Sequence, residues 1–110
     1  MPFFDRLRSA SALLFAVSAM SLSPSSSATT ILFVGDSFTY GAGAPSVHDF
    51  RPHTVNDLNG TKIGGVPALF KAMTEQACLH YAVSLETEGG AGLDFQYKHR
   101  HGAIVKPWDI

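Results

Sequence analysis

The sequence holds a single cysteine, Cys78, among 110 residues. An internal disulfide and a cysteine-based metal framework are both excluded. Charge of either sign is also scarce in excess, with eight Lys and Arg against nine Asp and Glu. That balance argues against nucleic acid or an acidic membrane surface as a partner. No apolar run is long enough to span a bilayer. Internal repeats are missing too, which excludes a solenoid or propeller. At this length the chain has room for one domain at most.

What is present begins with an export pattern. Arg6 and Arg8 give a basic start, and Ala10 to Leu22 forms a short apolar region. Ser26 and Ala28 then supply the small residues of a cleavage site after Ala28. The pattern predicts a signal peptide over residues 1–28, with no stable membrane anchor and a periplasmic or secreted product. No cysteine stands near the cleavage point to take a lipid. The remaining residues, 29–110, carry six basic and eight acidic side chains, for a net charge of −2 with His neutral. A chain of that size without staples buries a marginal core.

The rest is organised around Ile31-Leu32-Phe33-Val34, which runs directly into Gly35-Asp36-Ser37. A short β-branched and aromatic run bounded by Gly predicts a strand, buried on both faces as an inner strand of a parallel sheet. Ser37 then falls just past its carboxyl end, the edge where ligands gather in open α/β sheets. Thr39 and Tyr40 begin a short helical turn that Gly41 to Pro45 would end. Residues 41–65, rich in Gly, Pro, Asn and Asp, predict a loop of about 25 residues, a length that is uncommon inside a compact domain and often functional. Val66, Leu69, Phe70, Met73, Ala77 and Tyr81 follow helical spacing, with Lys71, Thr74, Glu75 and Gln76 opposite. A helix near 67–80 is expected, opened by Pro67 and burying Cys78 as a small apolar residue. Tyr81 to Glu88 alternates as a second strand, and Gly89-Gly90-Ala91-Gly92 forms a turn at its end. Leu93 to His101 is weakly helical, with Gly102 as a stop. Trp108-Asp109-Ile110 begins a further element. Two parallel strands joined through a helix bring Ser37 and the Gly turn to one crevice.

A Ser hydroxyl needs a base to take its proton and donors for the oxyanion it generates. A Gly turn lets a backbone N–H approach a ligand closely. Gly-Asp-Ser after a strand is equally good turn and helix-cap chemistry, and the residues alone leave both readings open.

Gly35-Asp36-Ser37-Phe38-Thr39-Tyr40-Gly41, after its strand, resembles the first block of the SGNH (GDSL-type) hydrolases. Glu86-Thr87-Glu88-Gly89-Gly90-Ala91-Gly92-Leu93 resembles the second block, and Trp108-Asp109-Ile110 the start of the family's next strand. The resemblance implies an α/β fold: an incomplete three-layer α/β/α, flavodoxin-like parallel sheet starting β-loop-α-β. It implies Ser37 as the nucleophile of an esterase or acetylesterase. The Ser37 N–H and a glycine N–H, best matched by Gly90 and next by Gly89, would form the oxyanion hole. The substrate would be a small-molecule ester or an acetylated carbohydrate, with no cofactor.

Two blocks of the family have no match. The third, which supplies an Asn, should follow the strand beginning near Trp108. The last, Asp-x-x-His, supplies the base, and no Asp here has a His three residues later. The resemblance therefore reads residues 29–110 as the N-terminal part of such a domain, inactive as it stands. The alternative is a non-catalytic exported remnant or a small-ligand or carbohydrate-binding module. His48 and His53, in the loop after Ser37, are candidates for a substitute base or solvated loop residues. His99 and His101 lack further ligands for a metal. Lys98, Arg100 and Lys106 read as a solvated basic rim. Phe38 and Tyr40 are expected to pack beneath the sheet, with lining the crevice as the alternative, and Trp108 reads as a core aromatic.

Overall fold

The computed structural model describes residues 27–110. The expected signal peptide lies outside the described residues except for its last two. The described chain is an α/β fold on a small parallel sheet. β1 (Thr29–Gly35) and β3 (Tyr81–Thr87) pair along their whole length, from Thr29 opposite Tyr81 to Gly35 opposite Thr87. β2 (Asn56–Asp57) joins the far side of β3 opposite Ser84 and Leu85, which gives the order β1-β3-β2. β3 thus lies between the other two strands, and the expected burial of β1 on both faces is only partial. Val83 to Thr87 are all buried, whereas Leu32, Phe33 and Val34 are only half-buried.

β1 is not bare on its other side. The Ile110 N–H donates to the Thr30 carbonyl at 3.1 Å, and the Leu32 N–H donates to the Ile110 carbonyl at 3.0 Å. These two bonds are the start of a parallel ladder opposite Ile31. Asp109 fixes the register. Its Oδ2 accepts from the Thr30 N–H at 2.8 Å and from the Thr30 hydroxyl at 2.9 Å. Its own N–H donates to that hydroxyl at 2.9 Å.

One sheet face is covered by α3 (Gly65–Gln76). Phe70 bridges to the sheet, edge-on to Phe33 at 5.4 Å and to Tyr81 at 5.1 Å between ring centroids. The helix buries a different stripe from the one expected. Pro67, Ala68 and Thr74 are buried, while Val66 and Met73 are exposed. Small side chains let the backbone approach the sheet closely. Thr74 tolerates burial because its hydroxyl donates to the Lys71 carbonyl at 2.9 Å.

The helix also stops four residues before the expected end. Cys78 takes a left-handed conformation (φ 58°), its N–H donating to Glu75 O while the Leu79 N–H donates to Thr74 O. This is a Schellman ending with cysteine where glycine is usual. The turn leaves Cys78 exposed rather than buried.

Residues 41–65 are more ordered than a plain loop. Pro45 opens α2 (Pro45–His48), Pro52 opens a single 3-10 turn to Thr54, and β2 follows. On the other side of β3, α4 (Leu93–His99) is interrupted at Arg100 and α5 (His101–Ile104) continues. Gly102 therefore lies inside a helix and stops nothing. The break falls where Arg100 turns back onto the sheet. Among the described residues no helix is long and apolar enough to cross a membrane.

Candidate functional site at the carboxyl edge of the sheet

The site is built at the end of β1. Asp36 caps α1 (Ser37–Tyr40), its Oδ1 accepting from the Phe38 N–H at 3.0 Å. The same carboxylate is thereby committed to the backbone. Ser37 is the first helical residue, and its N–H has no acceptor among the described residues. That free donor is the ordinary consequence of a helix start. Gly41 (φ 80°) ends the turn, as expected from the sequence. Gly35 is required by space, because a Cβ there would lie 2.0 Å from Thr39 Oγ1. Strand and helix can meet in so sharp a turn only without that atom.

The second segment reaches the same edge. Gly35 pairs with Thr87, so Ser37 lies two residues beyond one strand end and Gly90 three beyond the other. The Glu88 N–H donates to the Gly35 carbonyl at 3.1 Å and fastens the two exits together. Gly90 has a positive φ of 71° and open space around its Cβ position. The N–H groups of Gly89 and Gly90 also lack acceptors among the described residues.

The two turns nevertheless open onto different depressions. One, of about 340 Å³, is mostly apolar and is lined by Ser37, Phe38, Ala42, Val47, Val66 and Leu69. The other, of about 410 Å³, is more polar and is lined by Tyr40, Asn59, Thr61, Thr87, Gly89 and Arg100. Gly90 lines neither. Phe38 is 87% exposed, so it stands at the rim of the first depression instead of packing beneath the sheet. Tyr40 lines the second, with its hydroxyl against Gly89.

None of the histidines meets Ser37. His48 lies edge-on to Tyr40 at 6.0 Å, and its Nδ1 is 2.6 Å from Asp49 Oδ1. His53 is exposed in the 3-10 turn. His99 packs on Phe95, and His101 on Tyr97. Among the described residues no cluster of His, Cys, Asp and Glu forms a metal cage, and no hydrogen bond reaches Ser37 Oγ.

Sequence reasoning missed a buried polar cluster beneath the second turn. Glu86 and Gln96 are each 1% exposed. Arg100 is not part of a solvated rim. Its Nε is 3.4 Å from Glu86 Oε1, and its Nη2 donates to Glu88 Oε2 at 3.2 Å. Gln96 Nε2 donates to the Gly35 carbonyl at 3.1 Å. A charge in a strand that the architecture buries must find a partner, and Glu86 was the available signal.

Together these features define a parallel α/β domain with a serine at the head of a short helix on the sheet's carboxyl edge. Compared with protein-family models, curated proteins and solved structures, the chain matches none.

Proposed function

We propose that this chain carries the nucleophile half of an SGNH-type serine hydrolase acting on ester or O-acetyl bonds. Ser37 is the nucleophile, and its own N–H with that of Gly90 would hold the oxyanion. The observation that carries the reading is the Ser37 turn itself. It sits at the carboxyl end of β1 with an unused N–H, and Asp36 is spent on capping rather than on chemistry. The ladder that Ile110 begins on β1 supports the same reading. A strand continuing from there, opposite β3, would reverse the strand order at β1, and in open α/β sheets such a reversal marks the ligand crevice. The exported location belongs to the proposal as well.

Attack by Ser37 Oγ on an acyl carbonyl requires its proton to leave. No imidazole among the described residues is bonded to Ser37, so hydrolysis by residues 1–110 alone should be very slow. That same observation favours the second reading, a non-catalytic remnant or small-ligand module. Exogenous imidazole separates the two. With imidazole and an activated acetyl ester, mass spectrometry should find an acetyl adduct on the Ser37 peptide that Ser37→Ala lacks. An adduct confined to lysines, or the same ester turnover in Ser37→Ala, would overturn the hydrolase reading.

A further inference from the structure

We infer that Gln96 is the positioning residue that locks the Ser37 turn to the glycine turn. The inference rests on the reading of Ser37 as the nucleophile. Gly35 is the last residue of β1 and its carbonyl belongs to the peptide group that leads into Asp36 and Ser37. That carbonyl accepts twice: from the Glu88 N–H at 3.1 Å, and from Gln96 Nε2 at 3.1 Å. Both donors come from the second segment, one just before the glycine turn and one just after it. The Gly35 oxygen can only accept, so the amide of Gln96 must present its nitrogen. This orientation leaves Gln96 Oε1 buried without a partner among the described residues.

The surroundings hold α4 where Gln96 can reach. Arg100, at the break after α4, lies between the buried Glu86 and the half-exposed Glu88 on and beside β3. Glu86 Oε1 and Arg100 Nε are close enough to attract but make no hydrogen bond. The Glu88 hydrogen bond and the Glu86 contact anchor the end of α4 beside β3. Gln96 adds the link to β1, its amide spanning 61 positions in sequence to one carbonyl. Its effect on chemistry is indirect: it fixes how the Ser37 turn and the glycine turn sit against each other.

The test uses the full chain with isotopic labelling and reads the Gly35 carbonyl carbon and the amides of Ser37, Gly89 and Gly90 by NMR. Gln96→Leu keeps the volume and removes the donor. The Gly35 carbonyl resonance should move upfield, and the Ser37 and Gly90 amides should shift with it, while Ala68 on the opposite face stays in place. Gln96→Glu supplies a variant that keeps the shape. Its neutral acid can donate to Gly35 as the amide does, and its carboxylate cannot. Native-like signals should therefore be present at low pH and be lost as pH rises through the carboxyl's titration, which burial at this site holds above the usual glutamate range. Should Gln96→Leu fail to fold, the pH response of Gln96→Glu still decides the matter. Unmoved Ser37 and Gly90 amides in Gln96→Leu, or Gln96→Glu signals without pH dependence, would overturn the inference. Failure of the imidazole-dependent acylation would remove the catalytic reading while leaving these signals unaffected, so the two outcomes are distinguishable.

Discussion

The two turns at the carboxyl edge of the sheet are made in opposite ways. In the first, Gly35 to Gly41, every N–H from Phe38 to Gly41 finds its acceptor within the turn. The Asp36 carbonyl accepts from Thr39 and Tyr40, and the Ser37 carbonyl accepts from Gly41 and Ala42. The Asp36 and Ser37 N–H groups have no acceptor among the described residues. In the second, Gly89 to Gly92, the bonding is sparse. The Ala91 N–H reaches Glu88 O at 3.3 Å and the Gln96 N–H reaches Gly92 O at 3.3 Å. Gly89, Gly90 and Gly92 are exposed. One turn is preorganised by its own packing. The other is held from outside, through Glu88, Gln96 and Arg100. A nucleophile benefits from the first arrangement, because catalysis rewards groups that need no rearrangement. A donor that must admit a substrate tolerates the second.

Substitution at the two glycines should break this comparison most sharply. Gly35→Ala places a methyl 2.0 Å from Thr39 Oγ1 and 2.7 Å from Thr39 Cβ. The turn has no slack, so a loss of about 3 kcal/mol in stability is expected, read from urea unfolding. Thr39→Ala in the same chain should recover part of it. A neutral Gly35→Ala would show that the first turn is not tightly packed. Gly90→Ala meets no atom within 4 Å but must keep a φ of 71°. The expected cost is smaller, about 1 kcal/mol, and purely conformational. Equal losses at the two sites would erase the distinction between them.

The smallest effect concerns the far end of β1. The Thr30 N–H, and then the Thr30 hydroxyl, hold the Asp109 carboxyl below its ordinary value of 3.8. A lowered pKa means that the folded state prefers the carboxylate. Its contribution is present above pH 3.8 and is lost as pH falls through the lowered value. Trp108 fluorescence should therefore stay constant from neutral pH down to that point and change below it. Asp109→Ala should show the released signal at every pH. A transition well above pH 3.8 would assign the change to another group.

The elements legible in the sequence were those whose signals are local. β1, the short turn at Ser37, the start of α3 and β3 follow from adjacent residues and their periodicity. Ser37 was placed correctly at the strand end for the same reason. β2 was missed because two polar residues, Asn56 and Asp57, carry no pattern of their own and gain their structure from Ser84 and Leu85. The end of α3 was missed because Cys78 occupies a position that glycine usually marks. The polar cluster was missed because Gln96 and Arg100 lie on a weakly patterned segment, and their partners are distant in sequence or alternate along a strand. Basic side chains on such a segment read as solvent-facing until the fold brings Glu86 beneath them.

The clasp between Thr30 and Asp109 also has a meaning in time. Pairing of β1 with β3 already brings Thr29 beside Tyr81. What remains is to fold the chain after β3 back onto the far edge of β1, through α4 and α5. That closure depends on an edge which does not exist until the first two strands have met, and it must offset its own loop entropy. The clasp is therefore a late event in folding. The edge of β1 passes through an interval in which its outward N–H and C=O groups are paired with water alone.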